Sequence, residues 1–135
     1  MKILCIGDVV SRPGREKIHS ELKRIKDKYG ISLAIINGEN LSHGRGISRK
    51  TYEEMIEAGV DAFTLGNHTW DCKDSINILS YNNNIIRPAN YKKNCPGKGA
   101  MIIKTPDNSK VGIINIIGRT YMYLGVINKI NMSFV

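Results

Sequence analysis

Four apolar residues run directly into a polar turn in the sequence Leu33-Ala34-Ile35-Ile36-Asn37-Gly38-Glu39-Asn40, which is typical of a short buried strand that ends at a ligand-facing edge. The same arrangement occurs twice more, once on each side of this stretch. The two further apolar runs are residues 2–6, which precede Gly7-Asp8, and residues 61–65, which precede Gly66-Asn67-His68. Each polar turn contains a glycine, which lets the backbone turn tightly and approach a ligand.

The segments between these strands predict helices. Residues 15–28 carry apolar side chains on one face and Lys and Glu on the other, as an amphipathic helix does. The other predicted elements are helices at 48–58 and 73–79, a short strand at 85–86, and a hairpin of 100–104 with 110–117. Strands and helices that alternate at this spacing predict an α/β fold, with a mainly parallel sheet flanked by helices and right-handed crossovers.

In an open parallel sheet, ligands bind at the carboxyl ends of the strands, so the three polar turns should meet at one rim. That rim would hold Asp8, Glu39, Asn40, Asn67 and His68. Carboxylates, amide oxygens and an imidazole suit a divalent cation such as Mn, Fe(II) or Zn. Alone, Asp8 would be a helix cap, the asparagines turn formers and His68 a solvated histidine. Three such turns on successive strands instead favour a metal or phosphate site.

Ordered motifs give a more specific indication. They are Gly-Asp-Val-Val (7–10), Asn-Gly-Glu-Asn (37–40), Gly-Asn-His-Thr-Trp-Asp (66–71), Arg-Pro-Ala-Asn (87–90), Pro-Gly-Lys-Gly (96–99) and Gly-Arg-Thr (118–120). From Met1 to about Tyr121 the chain resembles the calcineurin-like metallophosphoesterases, in particular the bacterial YmdB-type subfamily of 2',3'-cyclic-nucleotide 2'-phosphodiesterases. The resemblance implies a sandwich of two sheets flanked by helices.

The resemblance also implies roles for the rim residues. Asp8 and Asn40 would bind one metal, Glu39 would bridge two metals, Asn67 would bind the second, and His68 would be the catalytic proton donor. The cofactor would be two divalent ions, Fe, Mn or Zn. No substrate-binding residue is assigned.

The chain departs from this family in its length and in its histidines. Family members are about twice as long, and their second half supplies three further metal-binding histidines, whereas only His19, His43 and His68 occur here. We therefore expect a partial sandwich: residues 1–121 as the N-terminal half of a metallophosphoesterase domain, and 122–135 as a divergent tail left by a frameshift or early stop. We also expect weak or partial metal binding.

Composition limits the other function classes. The 135 residues carry 20 Lys and Arg against 12 Asp and Glu, a net charge of +8, and contain no apolar run of the roughly 20 residues that would span a bilayer. Three cysteines without metal-type spacing indicate reduced thiols and a cytoplasmic protein, with Cys5 in the core.

The leading hypothesis is hydrolysis of a phosphodiester or cyclic nucleotide, impaired in this chain alone. The first alternative is a non-catalytic binding or self-associating remnant, a homo-oligomer formed through exposed sheet edges. The second alternative is an RNA-binding module. The positive net charge favours it, but the sequence contains no recognised RNA motif. RNA could also be a substrate or a regulated target.

Overall fold

The computed structural model describes residues 1–118, in which a parallel four-stranded sheet forms the centre. Its strands lie side by side in chain order: β1 (Ile3–Asp8), β2 (Leu33–Asn37), β3 (Ala62–Thr64) and β4 (Ile85–Ile86). This confirms the predicted mainly parallel α/β fold. The predicted domain boundary at residue 121 and the predicted tail of 122–135 lie outside the described residues.

Three helices connect these strands: α1 (Ser11–Tyr29), α2 (Arg49–Glu57) and α3 (Asp74–Tyr81). Because the strand order equals the chain order, right-handed crossovers place all three helices on one face of the sheet. The larger core lies between this face and the helices, where Leu22, Met55 and Ile78 meet Ile36 and Phe63. No helix within residues 1–118 is long and apolar enough to cross a membrane.

The helix ends lie within two residues of the predicted ones, except at the start of α1. Gly30 ends α1 in the left-handed conformation (φ 63°), and Ser48 begins α2 with a capping box shared with Thr51. Helix α1 begins at Ser11 and not at residue 15. Pro13 is tolerated there because the first-turn N–H groups of a helix have no partner within the helix.

A hairpin of β5 (Ala100–Lys104) and β6 (Lys110–Ile114) covers the other face of the sheet. Its inward side chains, with Met101 only 8% exposed, pack on Ala62 and Ile86 in a second, smaller core. The hairpin ends at Ile114, three residues before the predicted end. Asn115 leaves the ladder to exchange backbone hydrogen bonds with Gly99 (3.1 Å) and Ala89 (2.8 Å).

Strand β1 forms an open edge of the sheet. It pairs only with β2 in the described residues, and the hairpin packs over β2, β3 and β4 without reaching it. Ile3 is therefore 39% exposed, and Cys5, which shares its face, is exposed too. The expectation that Cys5 belongs to the core is wrong, because apolar neighbours within a strand do not show that the face beside them is covered.

Candidate functional site

The register of the parallel strands brings their polar ends together. Asp8 pairs with Asn37, and Asn37 pairs with Thr64, so the three strands end at the same level. Backbone hydrogen bonds continue across the turns beyond: Ser11 N donates to Asn40 O (2.9 Å) and Gly38 N donates to Thr64 O (2.9 Å). The turns that follow β1, β2 and β3 thus form one rim.

Asp8 and Asn40 meet directly on this rim. The Asn40 amide nitrogen donates to both carboxylate oxygens of Asp8, at 3.0 and 2.8 Å. The other end of the same amide, Asn40 Oδ1, is buried and has no hydrogen-bond partner within residues 1–118. A buried polar atom without a partner costs free energy in a native structure, so this oxygen has unused capacity to bind a ligand.

Glu39 lies between the turns of β2 and β3. Its Oε2 accepts a hydrogen bond from the backbone N of His68 (2.9 Å), and its Oε1 lies 3.5 Å from the Asn37 side-chain nitrogen. The approach depends on Gly66, where an added Cβ would overlap the Glu39 carboxylate. Glu39 is thereby held at the centre of the rim.

Asn67 follows Gly66 on the same rim, but its side chain is exposed and makes no hydrogen bond within residues 1–118. The four predicted metal ligands therefore form two groups: Asp8 with Asn40, and Glu39 beside the Gly66–His68 turn. No three His, Cys, Asp or Glu side chains in the described part of the chain come close enough to hold a metal. Two of the four predicted ligands, Asn40 and Asn67, are amides and so are not among these residue types.

His68 is oriented by a carboxylate that sequence reasoning missed. Its Nδ1 lies 2.7 Å from Asp71 Oδ2, and its side chain is 26% exposed. A carboxylate on one ring nitrogen fixes the orientation of an imidazole and leaves the other nitrogen to exchange a proton with a substrate. The signal was present in the sequence, because Asp71 closes the quoted motif 66–71. The other two histidines, His19 and His43, are both exposed.

A second layer supports the turn that carries Asn67 and His68. The hydroxyl of Tyr91 donates to Gly66 O (2.8 Å), and the ring of Tyr91 packs against Trp70 at 5.8 Å between centroids. Burial raises the pKa of Tyr91, and the nearby Glu39 carboxylate adds to the rise. Thr69 is fully buried and donates to Gly66 O as well. The turn is thus fixed by packing as well as by its backbone.

The chemistry of this rim fits a divalent cation. Two carboxylates and two amides supply oxygen donors, which hard and borderline cations prefer. Asn40 Oδ1, which has no partner among the described residues, is an oxygen that a cation would satisfy.

Comparison with known proteins identifies relatives of this chain. Residues 4–130 match the sequence model of a family described as YmdB-like protein. The chain is 43% identical over 122 residues to the 2',3'-cyclic-nucleotide 2'-phosphodiesterase of Bacillus subtilis, covering 90% of the chain and 46% of that protein. It is 35% identical over 122 residues to a putative phosphatase/phosphodiesterase of Mycoplasma pneumoniae, covering 87% of the chain and 43% of that protein.

Two solved structures share the fold. One is a hypothetical protein from Thermus thermophilus (TM-score 0.85, 37% identity, 92% of this chain and 48% of that one). The other is described as a novel phosphatase from Mycoplasma pneumoniae (TM-score 0.80, 36% identity, 87% of this chain and 43% of that one). The chain spans about half the length of the curated relatives that it matches.

Proposed function

Because this chain belongs to the YmdB-like protein family, we propose that it carries a metal-dependent phosphodiesterase site whose substrate is a cyclic-nucleotide phosphodiester. The observation that carries the proposal is the Asp8–Asn40 pair with its buried, unpartnered amide oxygen. The name of the Bacillus subtilis relative supports the substrate class.

In this proposal each rim residue has one role. Asp8 and Asn40 would hold the first ion, Asn67 would hold the second, and Glu39 would contribute to both; Fe, Mn and Zn all suit these ligands. When bound, a pair of such ions supplies an activated water and neutralises charge on the phosphoryl oxygens. Gly66 keeps the space that the Glu39 carboxylate needs.

His68 is the proposed proton donor to the departing ribose oxygen. Asp71 holds its Nδ1 at 2.7 Å, so Nε2 is the nitrogen that is left to carry the transferred proton. Asp71 is a positioning residue in this scheme, since it acts through the imidazole.

We further propose that these 135 residues alone bind metal weakly and turn substrate over slowly. Asp8, Glu39, Asn40 and Asn67 would have to serve two ions, which leaves each ion with few protein ligands. Asn67 also makes no side-chain hydrogen bond with the other three among the described residues.

Equilibrium dialysis against Mn, with metal content measured on the purified chain, tests the site. Asp8→Asn should lower Mn affinity by about tenfold or more, because it removes the charge of one ligand. Glu57→Gln, an exposed residue of α2, removes the same charge elsewhere and should leave Mn affinity unchanged. Equal Mn binding by the wild type and Asp8→Asn would overturn the site. Robust hydrolysis of bis(p-nitrophenyl) phosphate by the chain with Mn would overturn only the proposed weakness.

A second candidate function, self-association, is favoured by exposed apolar sheet surface. Ile102 is 72% exposed and Ile114 42% exposed on the outer face of the hairpin, and β1 is an open edge among the described strands. Light scattering should then show a dimer or larger species that Ile102→Lys dissociates. A monomer at every concentration would remove this candidate. RNA binding remains a prediction from net charge alone.

A further inference from the structure

The loop Ser42-His43-Gly44-Arg45-Gly46, here called the 42–46 loop, is held firmly at both ends. Its flanking residues Leu41 and Ile47 are fully buried. The loop also closes on itself, since Ser42 N donates to Gly46 O (3.0 Å) and Arg45 N donates to Ser42 O (2.9 Å). Buried anchors on both sides give the loop a defined position, which is how binding loops are presented by a rigid scaffold.

That position is on the rim of the candidate site. Gly46 N donates to Glu39 O at 2.5 Å. A Cβ added to Gly46 would lie 2.8 Å from the Cβ of Cys72 and 3.4 Å from the carbonyl carbon of Asp71, so Gly46 packs against the end of the turn that carries His68. A Cβ added to Gly44 would lie 3.5 Å from Ser11 Oγ, beside the turn that follows Asp8. The loop thus contacts all three turns of the rim.

This conformation requires unusual backbone angles. His43, Gly44 and Gly46 all have positive φ, at 52°, 84° and 74°. Glycine adopts this region freely, but a histidine there is uncommon, and such residues cluster at sites of ligand binding. The strained residue is one of the two basic residues of the loop.

The basic side chains of the loop have no partner in the described part of the chain. His43 and Arg45 are exposed, and neither side chain forms a hydrogen bond or ion pair there. The other exposed arginines of residues 1–118 are each paired on their own helix: Arg12 with Glu16, Arg24 with Glu21 and Arg49 with Glu53. As far as residues 1–118 are concerned, all the guanidinium donors of Arg45 are therefore available to a bound group.

Two backbone donors of the loop are equally free. Within residues 1–118, the N–H groups of His43 and Gly44 donate to no backbone acceptor. Successive free N–H groups in a tight turn form a concave anion-binding surface. A guanidinium presents a planar fork of donors that matches two phosphate oxygens at once.

We propose that the 42–46 loop binds the substrate phosphate, with Arg45 as the principal contact and His43 as the second. The identity of the phosphate as part of a phosphodiester substrate rests on the proposed function. The anion site itself does not, because no metal ligand belongs to the loop. Arg45 would contribute to substrate affinity, and the rim residues would carry out the chemical step.

An NMR titration of the full chain with inorganic phosphate, in metal-free buffer, tests the inference. Phosphate should shift the backbone amide signals of His43, Gly44 and Arg45 in the wild type. Arg45→Gln should weaken phosphate binding by about tenfold, since it removes a charge-assisted double hydrogen bond. Arg45→Lys keeps the charge but not the fork, so its loss should be intermediate.

Arg24→Gln is the matched control, because it removes the same charge from an exposed position on α1. It should leave phosphate affinity within about twofold of the wild type, since an exposed charge at a distance is largely screened. Equal losses in Arg45→Gln and Arg24→Gln would mean that only net charge attracts the anion, and would overturn the inference, as would phosphate binding elsewhere or none at all. Mn binding to the Asp8 site, measured separately, reports on the proposed function, so either idea can fail while the other stands.

Discussion

Gly66 is the residue on which the rim depends most closely, because the Glu39 carboxylate occupies the space where its side chain would be. A glycine is often needed because the backbone adopts a positive φ, but Gly66 does not have one. Gly66 is needed because there is no space for a side chain at this position. The sequence showed that a glycine preceded Asn67, and only the fold shows that a carboxylate from another turn fills the space beside it.

Gly66→Ala should therefore damage the site more than a glycine change elsewhere on the sheet. We expect a loss of stability of about 1–3 kcal/mol from overpacking, together with a loss of Mn affinity as Glu39 is displaced. Gly7→Ala is the matched control, since an added Cβ there meets nothing within 4 Å. Urea denaturation and Mn titration measure the two effects, and equal behaviour of the two variants would contradict the assignment of Gly66.

Arg87 is a buried cation whose partners are all backbone carbonyls. It is 7% exposed, and its guanidinium donates to Pro88 O (2.9 Å), Pro96 O (3.1 Å) and Cys95 O (3.3 Å). Arg87 thus fixes the backbone conformation of the segment between β4 and β5. The sequence showed that Arg87 belongs to a motif, but it could not show these contacts. Every residue type has a backbone carbonyl, so the acceptors leave no signal in the sequence.

Arg87→Met should cost about 2–4 kcal/mol of folding free energy, because it leaves three carbonyls without their donor. Arg24→Met, at an exposed position of α1, should change stability by less than about 0.5 kcal/mol. Urea denaturation followed by circular dichroism compares the two. A loss at Arg87 no greater than that at Arg24 would show that solvent replaces the guanidinium.

At the scale of elements, the sequence predicted most of the architecture. Three apolar runs became β1, β2 and β3, and their polar ends met at one rim because parallel strands share an orientation. The ends of the elements were less predictable. Because Pro13 is unfavourable inside a helix, the sequence did not predict the first turn of α1. Strand β6 ends early because Asn115 forms hydrogen bonds with residues far away in the sequence. The exposure of Cys5 depends on how far the hairpin reaches, which no local pattern encodes.

The start of α2 also fixes one end of the 42–46 loop. Ser48 caps the helix by accepting from Thr51 N (3.3 Å), and Ser48 N donates to Ser42 Oγ (2.9 Å). Ser48→Ala should cost about 1 kcal/mol through the lost cap. Ser20→Ala, within α1, should cost less, since Ser20 only donates to Lys17 O in its own helix. Thermal denaturation separates them, and a smaller effect at Ser48 would contradict the importance of the cap.

At the scale of the whole molecule, the buried Tyr52 and the partly buried Tyr91 make stability depend on pH in the alkaline range. Burial raises the pKa of Tyr52 and of Tyr91 above the ordinary value of 10.0. Above that pH the unfolded chain loses these protons before the folded chain does, so the unfolded state is favoured. The stabilising effect of the protonated phenols is complete below about pH 10 and declines as pH rises further.

We therefore expect the urea midpoint to fall as the pH rises above about 10, and to fall less steeply in Tyr91→Phe. Tyr81→Phe, at a residue that is 80% exposed, should keep the slope of the wild type. If Tyr91→Phe keeps that slope as well, the phenol of Tyr91 is not responsible for the pH dependence.

The order of strands in the central sheet has a consequence for how the protein is made. Each new strand joins the outer side of the one synthesised just before it, so no strand has to wait for a distant segment. A nascent chain that has emerged through β4 already holds every residue of the rim, before the first residue of the hairpin has emerged from the ribosome. Construction on the ribosome can thus proceed in the direction of synthesis, one βα unit at a time, with the hairpin closing the second face last.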